Sequence, residues 1–168
     1  MQKYIGTKLI EAEKAVRYYM DGGKKIVVSD TEEIDAEMTQ QLAQCVAAES
    51  GYRVRYPDGY ESWSPKDVFE EAYLPLSINE KLRSAAPSIS QSMVDDFIAE
   101  IEVTTMGEKT TVVLATLRNG FTILESSACV SAENYDEKLG ADICLGKIKD
   151  KVWFLLGFLL QTAVHGVK

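Results

Sequence analysis

Arg118-Asn119-Gly120-Phe121-Thr122-Ile123-Leu124-Glu125-Ser126-Ser127-Ala128-Cys129-Val130-Ser131-Ala132-Glu133-Asn134-Tyr135-Asp136 is the stretch on which the fold turns. It joins a hairpin turn, a strand and the start of a helix without slack. Thr110 to Leu117, just ahead of it, is rich in β-branched residues and reads as a strand. Asn119-Gly120 fits a two-residue type I′ hairpin, in which both central residues take positive φ, and Phe121 to Ser127 returns as the partner strand. Ser131 is expected to cap the last helix, with Glu133, Asp136 and Glu137 at its positive end. The apolar face of that helix is expected to carry Tyr135, Leu139, Ile143, Val152, Leu156 and Leu159, and Gly140, Gly146 and Gly157 to permit bends or close packing.

Working outward, Met93, Val94, Phe97, Ile98 and Ile101 recur at helical spacing and predict a helix that starts at Ser90 or Ser92 and ends before Gly107. Leu76 to Pro87 reads as a linker with a short helical turn, and Ser84-Ala85-Ala86-Pro87-Ser88 as the module boundary. Before it, Tyr52, Val54 and Tyr56 alternate with Arg53 and Arg55, Pro57-Asp58-Gly59 supplies a turn, and Tyr60 to Trp63 closes a β-hairpin. Ser64 then reads as an N-cap with Pro65 at the first helical position, so that Val68, Phe69, Ala72 and Tyr73 form an apolar face before Pro75 stops the helix. Further back, Tyr4 to Ile10 reads as a strand, Ala12 to Met20 as a short helix and Lys25 to Ser29 as a strand; Met38, Leu42, Cys45 and Val46 predict a helix ending near Gly51. The fold class is therefore α+β: a β-hairpin and helix module over residues 1–78, and a module over 88–168 in which a β-hairpin packs on a long helix.

The totals bound the function. In 168 residues, 46% are hydrophobic and 26% charged, the composition of a globular protein. The net charge of -8 is spread along the chain, with 9 cationic and 14 acidic side chains before residue 79 and 9 and 12 after it. Such a chain offers no broad electrostatic footprint for duplex nucleic acid or an anionic membrane. Cys45, Cys129 and Cys144 are odd in number and widely spaced, which fits reduced, mostly buried thiols better than disulfides or zinc ligation. The first residues lack a signal peptide's apolar core, and the apolar run Val152–Leu160 is too short to span a bilayer, so the expected location is the cytoplasm.

Reacting groups are sparse. His165, the single histidine, lies near the C-terminal end, a poor position for a Ser/His or Cys/His pair. Asp95-Asp96 and Glu70-Glu71 are adjacent, so on helices their members diverge and read as solvated faces. Met106 to Thr111 lacks the glycine spacing of a phosphate loop and reads as a turn. What remains is suited to binding. Lys147 and Lys151, four apart on the last helix, together with Arg118 and Lys138, are cations that fit phosphate groups if the fold gathers them, and otherwise form an exposed stripe. Phe121, Tyr135 and Asn134 have the chemistry to stack on and hydrogen-bond a base, although each also serves as core or cap. The helix start after Ser131 is a candidate anion site already crowded by its own acids. Tyr52, Tyr60 and Trp63, with Arg53 and Arg55 on the opposite hairpin face, form a second candidate surface.

Two sets of residues carry a resemblance to families of tailed phages and prophages. Lys3-Tyr4-Ile5-Gly6-Thr7-Lys8-Leu9-Ile10-Glu11-Ala12, with Gly51-Tyr52, Asp58-Gly59-Tyr60 and Ser62-Trp63-Ser64-Pro65-Lys66-Asp67-Val68-Phe69-Glu70, is similar to a small N-terminal phage module, from which residues 20–50 depart. Leu117-Arg118-Asn119-Gly120-Phe121-Thr122, Glu125-Ser126-Ser127-Ala128-Cys129, Glu133-Asn134-Tyr135-Asp136, Lys151-Val152-Trp153 and Gly157-Phe158-Leu159-Leu160 resemble a phage family long without an assigned role, and through it the Thoeris anti-defence sponges of the first type. The resemblance implies a homo-oligomer that sequesters a cyclic nucleotide immune signal, a cyclic ADP-ribose isomer or a cyclic oligonucleotide, without cleaving it; from the residues themselves no cofactor or metal is expected. Arg118, Phe121, Asn134 and Lys151 match the motif and, with Lys147 nearby, are the expected ligand-binding residues. The alternative expectation is an accessory phage protein that inhibits a host protein by direct binding.

Overall fold

A computed structural model describes residues 2–3, 6–84 and 86–167. It divides into two units, one spanning Lys8–Pro75 and the other formed by Met1–Thr7 together with Leu76–Lys168. Both are α+β, with antiparallel sheets.

In the first unit, β1 (Glu11–Met20) lies between β2 (Lys25–Ser29) and β3 (Cys45–Arg55), and β4 (Glu61–Pro65) pairs with the other side of β3. The helix expected over Ala12–Met20 is thus a central strand. Its Glu, Ala and Lys favour helix locally, but pairing with β3 along its length, and with β2 as well over Ala15–Tyr19, overrides that preference. Gly6–Ile10 takes no regular structure, whereas Tyr4 and Ile5, also read as strand, lie outside the described residues. The helix expected to reach Gly51 is only α1 (Ala36–Leu42), capped by Asp35, whose carboxylate accepts from the Met38 N–H at 2.7 Å. Cys45 and Val46 already belong to β3. Gly51 is a mid-strand residue there, because a Cβ at that position would meet the Ser64 carbonyl and come within 2.6 Å of the Trp63 ring. The β3–β4 hairpin forms as read, and α2 (Lys66–Ala72) follows it. Ser64 does not cap α2: its hydroxyl bonds the Pro65 carbonyl at 3.4 Å, and Pro65 holds the N-cap position. Of the expected apolar face, Phe69 and Tyr73 are half-buried, with Phe69 stacked on both Tyr73 and Tyr52, while Val68 and Ala72 are exposed.

In the second unit, residues 78–90 form turns and extended chain with no helix among those described, and Asn79 Nδ2 donates to the Ile89 carbonyl at 2.8 Å. The helix α3 (Gln91–Phe97) is capped by Ser90 as expected but stops early, since Ile98 and Ile101 lie in β5 (Ile98–Met106). Strands β5, β6 (Thr110–Leu117) and β7 (Thr122–Ala128) form a sheet in that order. The β6 residues Thr111, Val113, Ala115 and Leu117 are buried, alternating with half-buried ones, as a strand covered on one face requires.

The cover is α4 (Glu137–His165), which packs on β6 and β7. Ser131 does not cap it; a short 3-10 turn (Ala132–Asn134) intervenes, and Asp136 caps α4 by accepting from the Leu139 N–H at 2.9 Å. The expected apolar face is also corrected. Gly140, Cys144, Ile148, Val152 and Leu156 are buried, whereas Leu139, Ile143 and Leu159 are 59%, 44% and 40% exposed. The buried residues recur every four positions, along one ridge of the helix. Gly140 sets that ridge, because a Cβ there would collide with the Thr111 hydroxyl and approach Thr111 Cβ to 2.7 Å. Of the thiols only Cys144 is buried, which pushes its pKa up; Cys45 and Cys129 are half-buried.

Gly140→Ala is therefore expected to destabilise the second unit by about 1–3 kcal/mol through overpacking, although alanine is the better helix former. Gly146, with open space at its Cβ position, gives the opposite sign on substitution by alanine, a gain of up to about 1 kcal/mol. Urea unfolding followed by helix signal checks both, and a stabilised Gly140→Ala would contradict the close approach.

Candidate ligand-binding surface

The turn between β6 and β7 is not the type I′ turn that Asn119-Gly120 suggests. The Leu117 N–H donates to the Phe121 carbonyl and the Gly120 N–H to the Leu117 carbonyl, both at 2.8 Å, and Gly120 has φ 81°. No described residue other than glycine has positive φ, so Asn119 does not take the conformation that a type I′ turn demands. Arg118-Asn119-Gly120 is instead a three-residue loop, a type I turn closed by a glycine bulge. Asn119 Oδ1 accepts from the Phe121 N–H at 3.1 Å, and the Arg118 N–H donates to the Phe97 carbonyl at 3.0 Å, so the tip is tied to α3. Both side chains named for binding, Arg118 and Phe121, are exposed, Phe121 by 56%.

Lys147 and Lys151 both face β7. Lys147 Nζ donates to the Ser126 carbonyl at 2.9 Å, and Lys151 Nζ makes a close ion pair with Glu125. Glu125 shares the α4 side of the sheet with Ile123 and Phe121 by strand alternation. Four of the five expected residues thus line one side of β7 or its turn. Asn134 does not join Arg118 and Phe121: it follows the end of β7 opposite the turn, about 20 Å away along a seven-residue strand. Tyr135, read as a possible stacking ring, is anchored by its hydroxyl to Thr105 at 2.6 Å and Thr111 at 3.1 Å. The start of α4 is occupied by its own acids, Asp136 on the Leu139 N–H and Glu137 on the Thr105 hydroxyl.

The hairpin surface of the first unit is self-satisfied. Trp63 stands opposite Arg53 in register and so shares its face, contrary to the expected separation, while Tyr52 points the other way, stacked on Phe69 at 4.1 Å. Tyr52 donates to Glu70 at 2.9 Å, which raises its pKa, and Tyr60 packs near Tyr56. Arg53 bonds Glu32 at 2.9 Å, the Val27 carbonyl at 3.0 Å and Glu13 at 3.4 Å; Arg55 bonds Glu61 at 2.9 Å and lies 3.7 Å from Glu11. The Arg53 guanidinium holds Glu32 below the usual carboxylate range, helped by the Ser29 N–H. A shallow cleft of about 220 Å³ runs along these residues, yet each arginine already has carboxylate partners. The Arg17 guanidinium lies 3.6 Å from the Trp63 ring centre, and Trp63 Nε1 is buried without an acceptor. Among the described residues no cluster of His, Cys, Asp and Glu is arranged to hold a metal ion, and no helix is long and apolar enough to cross a membrane.

The Lys151 hydrogen bond, with the Lys147 charge behind it, holds Glu125 below the ordinary carboxylate pKa against the opposing effect of desolvation. A carboxylate depressed by folding contributes stability above its unfolded pKa of about 4.3 and loses it as pH falls through the folded value. Carbon-detected NMR of the Glu125 carboxyl is expected to show a midpoint below the ordinary range, shifted up in Lys151→Ala. An unchanged midpoint in that variant would show that the pair does not govern the carboxyl in solution.

Residues 89–164 match the model of the phage protein (N4 Gp49/phage Sf6 gene 66) family. No curated protein and no solved structure matches the chain. The part of the protein that carries the hairpin tip, β7 and α4 is thus similar to a phage protein family.

Proposed function

We propose that the protein is a phage-encoded anti-defence protein that binds and sequesters a cyclic nucleotide immune signal, a cyclic ADP-ribose isomer or a cyclic oligonucleotide, without cleaving it. The observation that carries this reading is the alignment along β7 of an exposed ring, a guanidinium and two ammonium groups: Phe121 and Arg118 at the tip, Lys151 and Lys147 beside Glu125 and Ser126. Phe121 and Glu125 are about 13 Å apart along the strand, the scale of a base and its phosphates. In this reading Phe121 stacks on a base and the cations take phosphate oxygens. Asn134, at the opposite end of β7 from Arg118 and Phe121, joins that ring and guanidinium only from another copy in a homo-oligomer. No cofactor is required, and the host cytoplasm is where such a sponge acts.

A second reading, occlusion of a host protein, is favoured by α4 beyond Lys151, where Phe154 and Phe158 are 74% and 67% exposed. One experiment separates the two. The protein is incubated with a panel of cyclic nucleotides and filtered, and the retained fraction is heated and analysed. Release of intact ligand is the expected result. A chemically altered product would mean catalysis, and no depletion of any nucleotide would sink sequestration in favour of a protein target. Phe121→Ala is expected to weaken retention by about 1–3 kcal/mol, the worth of a base–aromatic stack. Lys151→Ala should weaken it by about 1.5–3 kcal/mol for a charge-assisted hydrogen bond. Unchanged retention in both variants would place the binding surface elsewhere.

A further inference from the structure

The two edges of the C-terminal sheet are treated differently. Bonds from the Leu117 N–H to the Phe121 carbonyl and from the Cys129 N–H to the Lys109 carbonyl fix the alternation of the β6–β7 ladder. The odd-numbered residues of β6 therefore bond β7, and Val112 and Leu114 bond Thr104 and Glu102 of β5. On β7 the outward carbonyl of Ser126 is covered by the Lys147 ammonium. On β5 the outward N–H and C=O groups belong to Ile101, Val103 and Thr105, and the strand carries no lysine or proline to protect them. Its only irregularity lies between Ile98 and Glu100, which leaves Ile101–Met106 regular. Ile101 and Val103 point to the α4 side, but α4 packs on β6 and β7, and the two side chains are 44% and 41% exposed. Among the described residues no strand other than β6 pairs with β5, and a straight edge left in this way is a template for another strand.

We infer that this edge pairs with the same edge of a second copy, antiparallel about a two-fold axis at Val103. The register follows from charge and from the ladder. With Val103 opposite its own copy, Ile101 faces the partner's Thr105, Glu102 faces the partner's Thr104, and Glu100 faces the partner's Met106. All the outward groups of Ile101, Val103 and Thr105 then find partners, about six hydrogen bonds in all, and no two carboxylates stand directly opposite each other. Moving the axis to Glu102 sets that carboxylate against its own copy, and moving it to Ile101 sets Glu100 against Glu102. Moving it towards Thr104 gives up hydrogen bonds. A strand whose only charges are acidic thus accommodates itself in one register, which makes a second copy the fitting occupant. The product is a continuous six-stranded sheet with both long helices on one face. This assembly is independent of any bound nucleotide.

The test uses the full chain without ligand. Sedimentation at micromolar concentration is expected to give twice the 18.7 kDa chain mass. Val103→Pro removes an N–H that the chain itself does not use, so it should give the single-chain mass with an unchanged far-ultraviolet spectrum. Because a proline can also disturb the strand, cysteines provide a second measurement. Under mild oxidation Val103→Cys should cross-link to its own copy, whereas Ile101→Cys, four residues out of register with itself, should stay at the level of the unsubstituted protein. A monomeric wild type would overturn the inference. So would a dimer in which Val103→Cys does not cross-link, or in which Ile101→Cys cross-links equally well.

Discussion

The approach of α4 to β6 at Gly140 and Thr111 governs the C-terminal unit. Thr111 is buried, and its hydroxyl is satisfied by the Tyr135 hydroxyl, so the chain just ahead of α4 is pinned to the sheet by a polar contact. Five residues later the absence of a side chain at Gly140 lets the helix come down onto Thr111 itself. From that point the helix has little freedom of rotation. Cys144, Ile148, Val152 and Leu156 descend in turn onto a strip made by Val113, Ala115 and Leu117, with Ile89, Met93 and Val94 buried in the same unit. Each large side chain removed from water contributes about 1.5–3 kcal/mol, but the direction of the whole ridge is chosen by the smallest residue in it. Once the ridge is set, Lys147 and Lys151 have no choice but to lie along β7.

The N-terminal unit solves a related problem with opposite means. Its sheet also needs one close approach, Trp63 over Gly51, and the indole is covered in turn by the Arg17 guanidinium. Beyond the tryptophan, that face is held by alternating glutamates and arginines on neighbouring strands. Such half-exposed pairs add little individually, so the ring and the glycine beneath it matter more to the packing than the ion pairs around them. The arginines that look available in the sequence are spent on this lattice.

Much of the architecture was legible in local chemistry. The turn at Pro57-Asp58-Gly59, the cap at Ser90, and the strands Lys25–Ser29, Thr110–Leu117 and the one after Phe121 all follow from residues that act on their immediate neighbours. The readings that failed depend on partners distant in sequence. Glu11–Met20 is a strand only because Lys25–Ser29 and Cys45–Arg55 flank it, and Ile98–Ile101 leave the helical pattern only because β6 is there to pair with them. The buried face of α4 departs from its most hydrophobic one because close approach at Gly140, not hydrophobicity, sets the rotation of the helix, and Gly140 is the one residue in the sequence that signals it. For the candidate residues, sequence spacing placed Lys147 and Lys151 together but carried no information on the length of β7, which sends Asn134 to the opposite end from Phe121.

In the proposed reading, Glu125 gives the candidate surface a selectivity that its cations alone would not have. Its carboxylate already holds Lys151, and a backbone carbonyl holds Lys147, so the amines are occupied in the free protein. An anion that takes Lys151 must first displace an internal competitor fixed in place by its strand. A small monoanion exchanges one contact for another and gains little. A ligand that lays a ring on Phe121 while its phosphate reaches the amine retains a net gain after that exchange. Internal competition of this kind sets a threshold in the number of simultaneous contacts rather than in charge, and it would keep the surface clear in a cell crowded with simple phosphates.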